Sequence, residues 1–275
     1  MRLSAGQFNL YELLDMKTIF YTGRVELNGS PNYTGRQEWA TLAEVYHNQT
    51  VGKLGELCII RENNPRLRAM MAAGSQAYGC EQAYTWCMGS LANYIAILDF
   101  LDTDADDMVW MDLDLLRCPS NPWRLILGAC ISYPSAVSHA ITPEERFKEN
   151  MFSALTGLDV EHYTHILSSL LVLSRFDAEE IVFYLRTNGL DLLQPEAWGK
   201  IRSAETKLIG EQRWSRFTSH MLLELAHGLC HDWQPRNLFG SVDWYPSLTD
   251  RPFLHFHSNY KSEILEFLKR QTVAK

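Results

Sequence analysis

The chain of 275 residues lacks the features that would place it in a membrane or along nucleic acid. It has no run of 18 apolar residues, so no membrane-spanning helix is expected. Basic residues are outnumbered, 25 Lys and Arg against 33 Asp and Glu. The resulting net charge of -8 repels phosphate backbones on average and disfavours a general nucleic-acid-coating role. Cysteine is sparse. Cys58, Cys80, Cys87, Cys118, Cys130 and Cys230 form no C-x-x-C pair, which excludes a zinc ribbon or finger and points to reduced thiols. The opening MRLSAGQFNLYELLDMK has no continuous apolar stretch of signal-peptide type, so a cytoplasmic location is expected. There is no internal repeat, low-complexity tract or Pro/Gly/Ser linker, and residues 1–275 are read as one domain. G-x-S-x-G, the Walker loop and G-x-G-x-x-G are all missing, which removes support for serine-hydrolase, P-loop and dinucleotide readings.

What is present is ordinary globular material, 46% hydrophobic and 21% charged, enough to bury a sizeable core. Short β-rich runs alternate with segments of helical spacing. Strands are predicted over residues 17–21, 57–60, 108–111, 165–174 and 253–257, with residues 125–133 compatible with strand or helix. Helices are predicted over 36–47, 65–73, 82–101, 178–187 (with Asp177 as N-cap), 213–229 and 262–270. Alternation of this kind argues for an α/β fold with a mixed, mostly parallel central sheet flanked by helices.

The sharpest local signal is Met108-Val-Trp-Met-Asp112-Leu-Asp114. Four apolar residues in a row suit a central strand buried on both faces, and the carboxyl end of such a strand is where open α/β sheets bind ligands. If the extended conformation continues, Asp112 and Asp114 point to one side and bear on one divalent cation, for which hard oxygens suit Mn²⁺ or Mg²⁺. An aspartyl-phosphatase reading of the same pattern is set aside. That chemistry calls for Thr or Val where Leu116 stands and for a strand near the start of the domain. Near the end, His255-Phe-His257-Ser-Asn-Tyr-Lys261 offers an imidazole as third ligand and a lysine at the head of the last helix, where a phosphate is favoured. Glu224, His227 and His231 share a face of a predicted helix, but no second helix offers matching carboxylates, and an ordinary helix face is preferred.

Together these motifs resemble the GT-A (Rossmann-like) glycosyltransferases, in particular the retaining, glycogenin-like and bacterial galactosyltransferase-like group. That group pairs a D-x-D at the end of a central strand with a C-terminal H-F-x-G-x-x-K. Here His255, Phe256 and Lys261 match, and Ser258 stands in place of Gly. Between the motifs, Leu167-Ser-Ser-Leu-Leu171 keeps part of the group's L-N-S-G-V, and Glu211-Gln212 takes the place of its D-Q pair.

The resemblance implies a metal-dependent transfer from a nucleotide-sugar donor, a UDP-sugar above all. Asp112, Asp114 and His255 would hold Mn²⁺ or Mg²⁺. Lys261 would touch the donor diphosphate, Tyr21 and Thr22 would line the nucleotide pocket, and Glu211 would act on acceptor or sugar hydroxyls. It also implies a nucleotide-binding half at roughly 15–116 and an acceptor and metal-completing half at roughly 117–275. The acceptor stays open among a glycan, a small molecule, a protein and a modified DNA base. Two other readings are compatible with the residues, a silent scaffold of this fold and a phage-type DNA-base transferase.

Overall fold

In a computed structural model, the residues described are 17–25, 38–79, 91–118, 120–121, 129–132, 142–213, 215–230, 233, 236–237, 242–245, 251–256 and 260–273. Nine strands lie among them: β1 (Thr18–Gly23), β2 (Glu56–Ile60), β3 (Asp107–Met111), β4 (Leu115–Arg117), β5 (Ala129–Ser132), β6 (Ile166–Ser174), β7 (Arg236–Asn237), β8 (Val242–Trp244) and β9 (Phe253–His255). Eight α-helices accompany them: α1 (Glu38–Thr50), α2 (Pro65–Tyr78), α3 (Ala92–Leu101), α4 (Pro143–Thr156), α5 (Arg175–Thr187), α6 (Pro195–Ile209), α7 (Ser219–Leu229) and α8 (Lys261–Val273).

The main sheet has the order β2-β1-β3-β6-β5-β7. Strands β2, β1 and β3 pair in parallel, β6 runs antiparallel to both β3 and β5, and β7 is parallel to β5. Five strands thus share a direction and β6 alone opposes them, so the sheet is mixed and mostly parallel. β3 sits third of six and is buried along its whole length, as its unbroken apolar run demands.

Strand alternation divides the core in two. Ile19, Tyr21, Met108, Trp110, Leu171 and Leu173 face helices α2 to α7. Phe20, Val109, Met111, Leu170 and Val172 face the other way, toward Leu115, Val242 and Phe253 of a second sheet of order β4-β9-β8. Beyond that small sheet, Trp39, Ala43 and Tyr46 of α1 pack with Leu113, Leu116, Leu254, Phe256 and Ile264. The molecule is therefore layered as helices, large sheet, small sheet, then α1 with α8. The sequence does not announce the small sheet, because strands of three residues are too short to carry a period.

Several predicted boundaries shift, each for an identifiable reason. The helix predicted from residue 213 starts at Ser219, because the buried Glu205 carboxylate accepts from Ser215 Oγ (2.9 Å) and Arg216 N (2.7 Å) and holds that stretch out of a helix. Asp177 is not an N-cap. It sits at the third position of α5 in a reciprocal capping box with Ser174, where β6 ends. Of the helix predicted over 82–101, Ala92–Leu101 is helical, and 80–90 lies outside the described residues. Residues 129–132 resolve as strand. Helices α4 and α6 have no counterpart in the sequence reading, although Thr142-Pro-Glu-Glu145 forms a complete capping box.

Candidate metal centre

β3 ends at Met111, and the backbone changes character there. Asp112 N still donates to Ser169 O of β6 at 2.8 Å, but Leu115 N then donates to Asp112 O at 2.9 Å, closing a tight turn over residues 112–115. The expectation that Asp112 and Asp114 converge by strand alternation is thus corrected: a turn brings them together. The turn forms because β4 starts immediately and must leave the large sheet to pair with β9. In that pairing Leu115 stands opposite His255, and Phe256 N donates to Asp114 O at 3.0 Å. Two segments far apart in sequence therefore meet through main-chain hydrogen bonds.

The ligand atoms of Asp112, Asp114 and His255 all lie within 4.8 Å of one another. His255 Nε2 is 3.6 Å from Asp114 Oδ2, and the two residues are only 4% and 6% exposed. Asp112 is partly open to solvent. Burying two carboxylates side by side is unfavourable unless positive charge joins them. Hard oxygens plus one imidazole nitrogen suit a divalent cation with coordination positions left for phosphate oxygens. The donor set fits such an ion.

Two neighbours orient the centre, and the sequence reading did not single out either one. Trp110 Nε1 donates to Asp112 Oδ1 at 3.0 Å. Its ring lies against Gly23, where a Cβ would come within 2.9 Å of the indole and 3.2 Å of Ala92 Cβ, so glycine is needed for the approach. His47 of α1 is fully buried, and its Nε2 lies 3.1 Å from Leu113 O, the carbonyl between the two aspartates. A carbonyl can only accept, so Nε2 carries the proton. Burial pushes the His47 pKa down to about 4, against smaller opposing pulls from that carbonyl and the Asp114 charge, so the ring is neutral near pH 7. The one sequence signal was a polar residue on the apolar stripe of Trp39, Ala43 and Tyr46.

The remaining expected residues are not drawn into this cluster. Tyr21 is 2% exposed and packed among the helix-side core, with its hydroxyl pKa raised by burial, so its ring is spent on packing and offers no stacking face. Thr22 is 0% exposed, and its Oγ1 has no hydrogen-bond partner among the described residues. Lys261 opens α8 as expected, while its side chain and His257 lie outside the described residues. Glu211 is exposed on the loop after α6. Glu224 is buried and accepts from His165 Nδ1 at 2.8 Å and from Ile166 N at 3.2 Å, and His227 packs edge-on to Trp233. These two serve the core, and His231 lies outside the described residues.

Beside the centre, β6 breaks register. Cys130 pairs with Leu171 but Ile131 with Leu167, so a bulge spans residues 168–170. Ser168 Oγ there meets Ser219 Oγ at the start of α7 at 2.7 Å, next to the Ser169 carbonyl that holds Asp112.

Compared with known proteins, the sequence matches no protein-family model and no curated protein. Among solved structures the chain is similar to a glycosyltransferase involved in the glycosylation of the major capsid of PBCV-1. The two share 10% identity and a TM-score of 0.41, over 92% of this chain and 99% of that one. At that distance the likeness carries no functional argument. Among the described residues no helix is long and apolar enough to cross a membrane.

Proposed function

We propose that this chain is a metal-dependent glycosyltransferase that moves a sugar from a nucleotide-sugar donor, a UDP-sugar by motif resemblance, using Mn²⁺ or Mg²⁺ held by Asp112, Asp114 and His255. One observation carries the reading. Two motifs at opposite ends of the sequence, chosen for their resemblance to a metal and diphosphate site, bring their ligand atoms within 4.8 Å at the carboxyl end of the central strand.

The chain's own contribution is positioning and electrostatics. Asp112 and Asp114 supply the negative charge that recruits the cation, and Trp110 fixes one Asp112 oxygen so that the other is turned toward it. A divalent cation at this position would neutralise charge building on the departing nucleoside diphosphate. Lys261, at the head of α8, is assigned to the same diphosphate, and Glu211 to hydroxyls of sugar or acceptor. Transfer with retention of anomeric configuration goes with the family resemblance. Cytoplasmic location and the division into two halves near residue 116 belong to this proposal as well.

The test is hydrolysis of a panel of nucleotide sugars with and without Mn²⁺, together with thermal shifts on donor addition, because a ligand that binds the native state raises the melting temperature by mass action. The expected result is Mn²⁺-dependent stabilisation and slow hydrolysis of at least one UDP-sugar, both lost in Asp114→Asn. A chain that shows neither with any donor is a silent scaffold of the same architecture, and the proposal falls.

A further inference from the structure

The geometry points to His47 as a positioning residue that clamps the aspartate-bearing turn, so that the two carboxylates stay convergent whether or not a cation is present. The inference rests on the metal-site reading above and adds a residue from a third segment of the chain.

The turn over 112–115 has one bond of its own, from Leu115 N to Asp112 O, and it carries two acidic side chains that repel each other. Left alone, repulsion would open it. On one side β9 holds it, through Phe256 N to Asp114 O. On the other side stands α1. His47 Nε2 donates to Leu113 O at the apex, and the adjacent Tyr46 hydroxyl donates to Arg117 O at the far end of β4 at 2.8 Å. The carbonyl that His47 grips belongs to the residue between the two ligands, so moving it rotates both flanking peptides.

The choice of residue is informative. With Nε2–H spent on Leu113, His47 Nδ1 is left as an acceptor, and it is buried with no hydrogen-bond partner among the described residues. A buried nitrogen without a partner lowers stability, and an aliphatic side chain on the same apolar stripe would avoid that loss. Histidine at this position sacrifices some packing quality to deliver one rigid donor to one carbonyl. Outer partners of this kind govern how well metal ligands are aligned.

Three variants of the full chain test the clamp. His47→Leu removes the donor. His47→Gln restores an N–H near the position of Nε2. Tyr46→Phe loosens the same helix at the distant Arg117 end and serves as the control. Mn²⁺ dissociation constants are read by electron paramagnetic resonance on the free protein, alongside hydrogen exchange at the Leu115 and Phe256 amides.

His47→Leu is expected to weaken Mn²⁺ binding by about 10–100-fold and to lose protection at Leu115, while His47→Gln recovers most of both and Tyr46→Phe leaves Mn²⁺ affinity unchanged. A merely structural role would lower the melting temperature of both histidine variants and leave the Mn²⁺ constant of the folded protein as it was. That result, or unchanged Leu115 exchange in His47→Leu, overturns the inference. If the wild-type chain binds no Mn²⁺, the metal-site reading fails and takes the predicted affinity effect with it, while Leu115 exchange still decides whether His47 clamps the turn.

Discussion

The two ends of β3 are both acidic, and they have opposite fates. The leading end follows Asp102, Asp104 and Asp106 and begins with Asp107. The trailing end runs into Asp112 and Asp114. At the leading end the protein supplies its own cations and caps. Lys17 pairs with Asp104, and Arg66 bridges Asp99 (2.8 Å) and Asp102 (2.6 Å). Arg175 donates to the carbonyls of Leu101, Thr103 and Ala105 with its guanidinium over the Phe100 ring. At the trailing end the chain gathers two carboxylates around an imidazole in a mostly buried corner. Acidity alone does not mark a site; what marks it is which groups the fold brings up to meet the acid.

The widest separation between the two ends is expected in activity. Asp112→Asn and Asp114→Asn should each cut Mn²⁺-dependent donor hydrolysis by on the order of 10³-fold, about 4 kcal/mol of lost charge stabilisation, whereas Asp104→Asn should leave it unchanged. Equal losses at both ends, measured on folded protein, would erase the distinction.

Arg175→Ala should act in the opposite sense. Losing a guanidinium that serves three carbonyls should remove about 2–3 kcal/mol of stability in urea melts while Mn²⁺ affinity holds. A fall in affinity would mean that the two ends are coupled through the strand.

Asp107 sharpens the comparison through pH. It is fully buried, neither of its carboxylate oxygens has a partner among the described residues, and burial, aided by Asp106 and Asp177, pushes its pKa from 3.8 up to about 6. The folded protein thus holds this proton more tightly than the unfolded chain does. Its contribution is complete below about pH 4 and is lost as pH rises through 6. Asp107→Asn should therefore gain about 1–2 kcal/mol over wild type at pH 7.5 and little at pH 4. A gain that is the same at both values would place the effect elsewhere.

The smallest effect is expected from Trp110→Phe, which keeps the ring against Gly23 but loses the N–H on Asp112. A weakening of Mn²⁺ binding by about fivefold, close to 1 kcal/mol, fits one hydrogen bond. No change would show that Asp112 is oriented by its backbone alone.

Much of this was legible in the sequence where the signal was long or chemically specific. β3 was readable because four apolar residues need burial on both faces, and β6 because its apolar run is longer still. The start of α2 was readable because Asn64 accepts from Arg66 N and Leu67 N ahead of Pro65. Asp112, Asp114 and His255 could be chosen as partners by motif resemblance. Their manner of meeting was not readable, because it depends on β4 and β9, three residues each, whose pairing is set by which partner edge is near. Tyr21 was misjudged for a related reason: an aromatic at a strand's end looks the same in sequence whether its ring faces a ligand or a helix layer.

The order of residues by itself determined the alternating layers, the buried central strand and the identity of the acids at its end, since each follows from period and polarity within a few neighbouring positions. Only the tertiary structure decided that a tight turn, a short strand from the far end and a neutral histidine on α1 would converge on those acids. Hydrogen bonds between segments more than a hundred residues apart obey geometry, and no local pattern encodes that geometry.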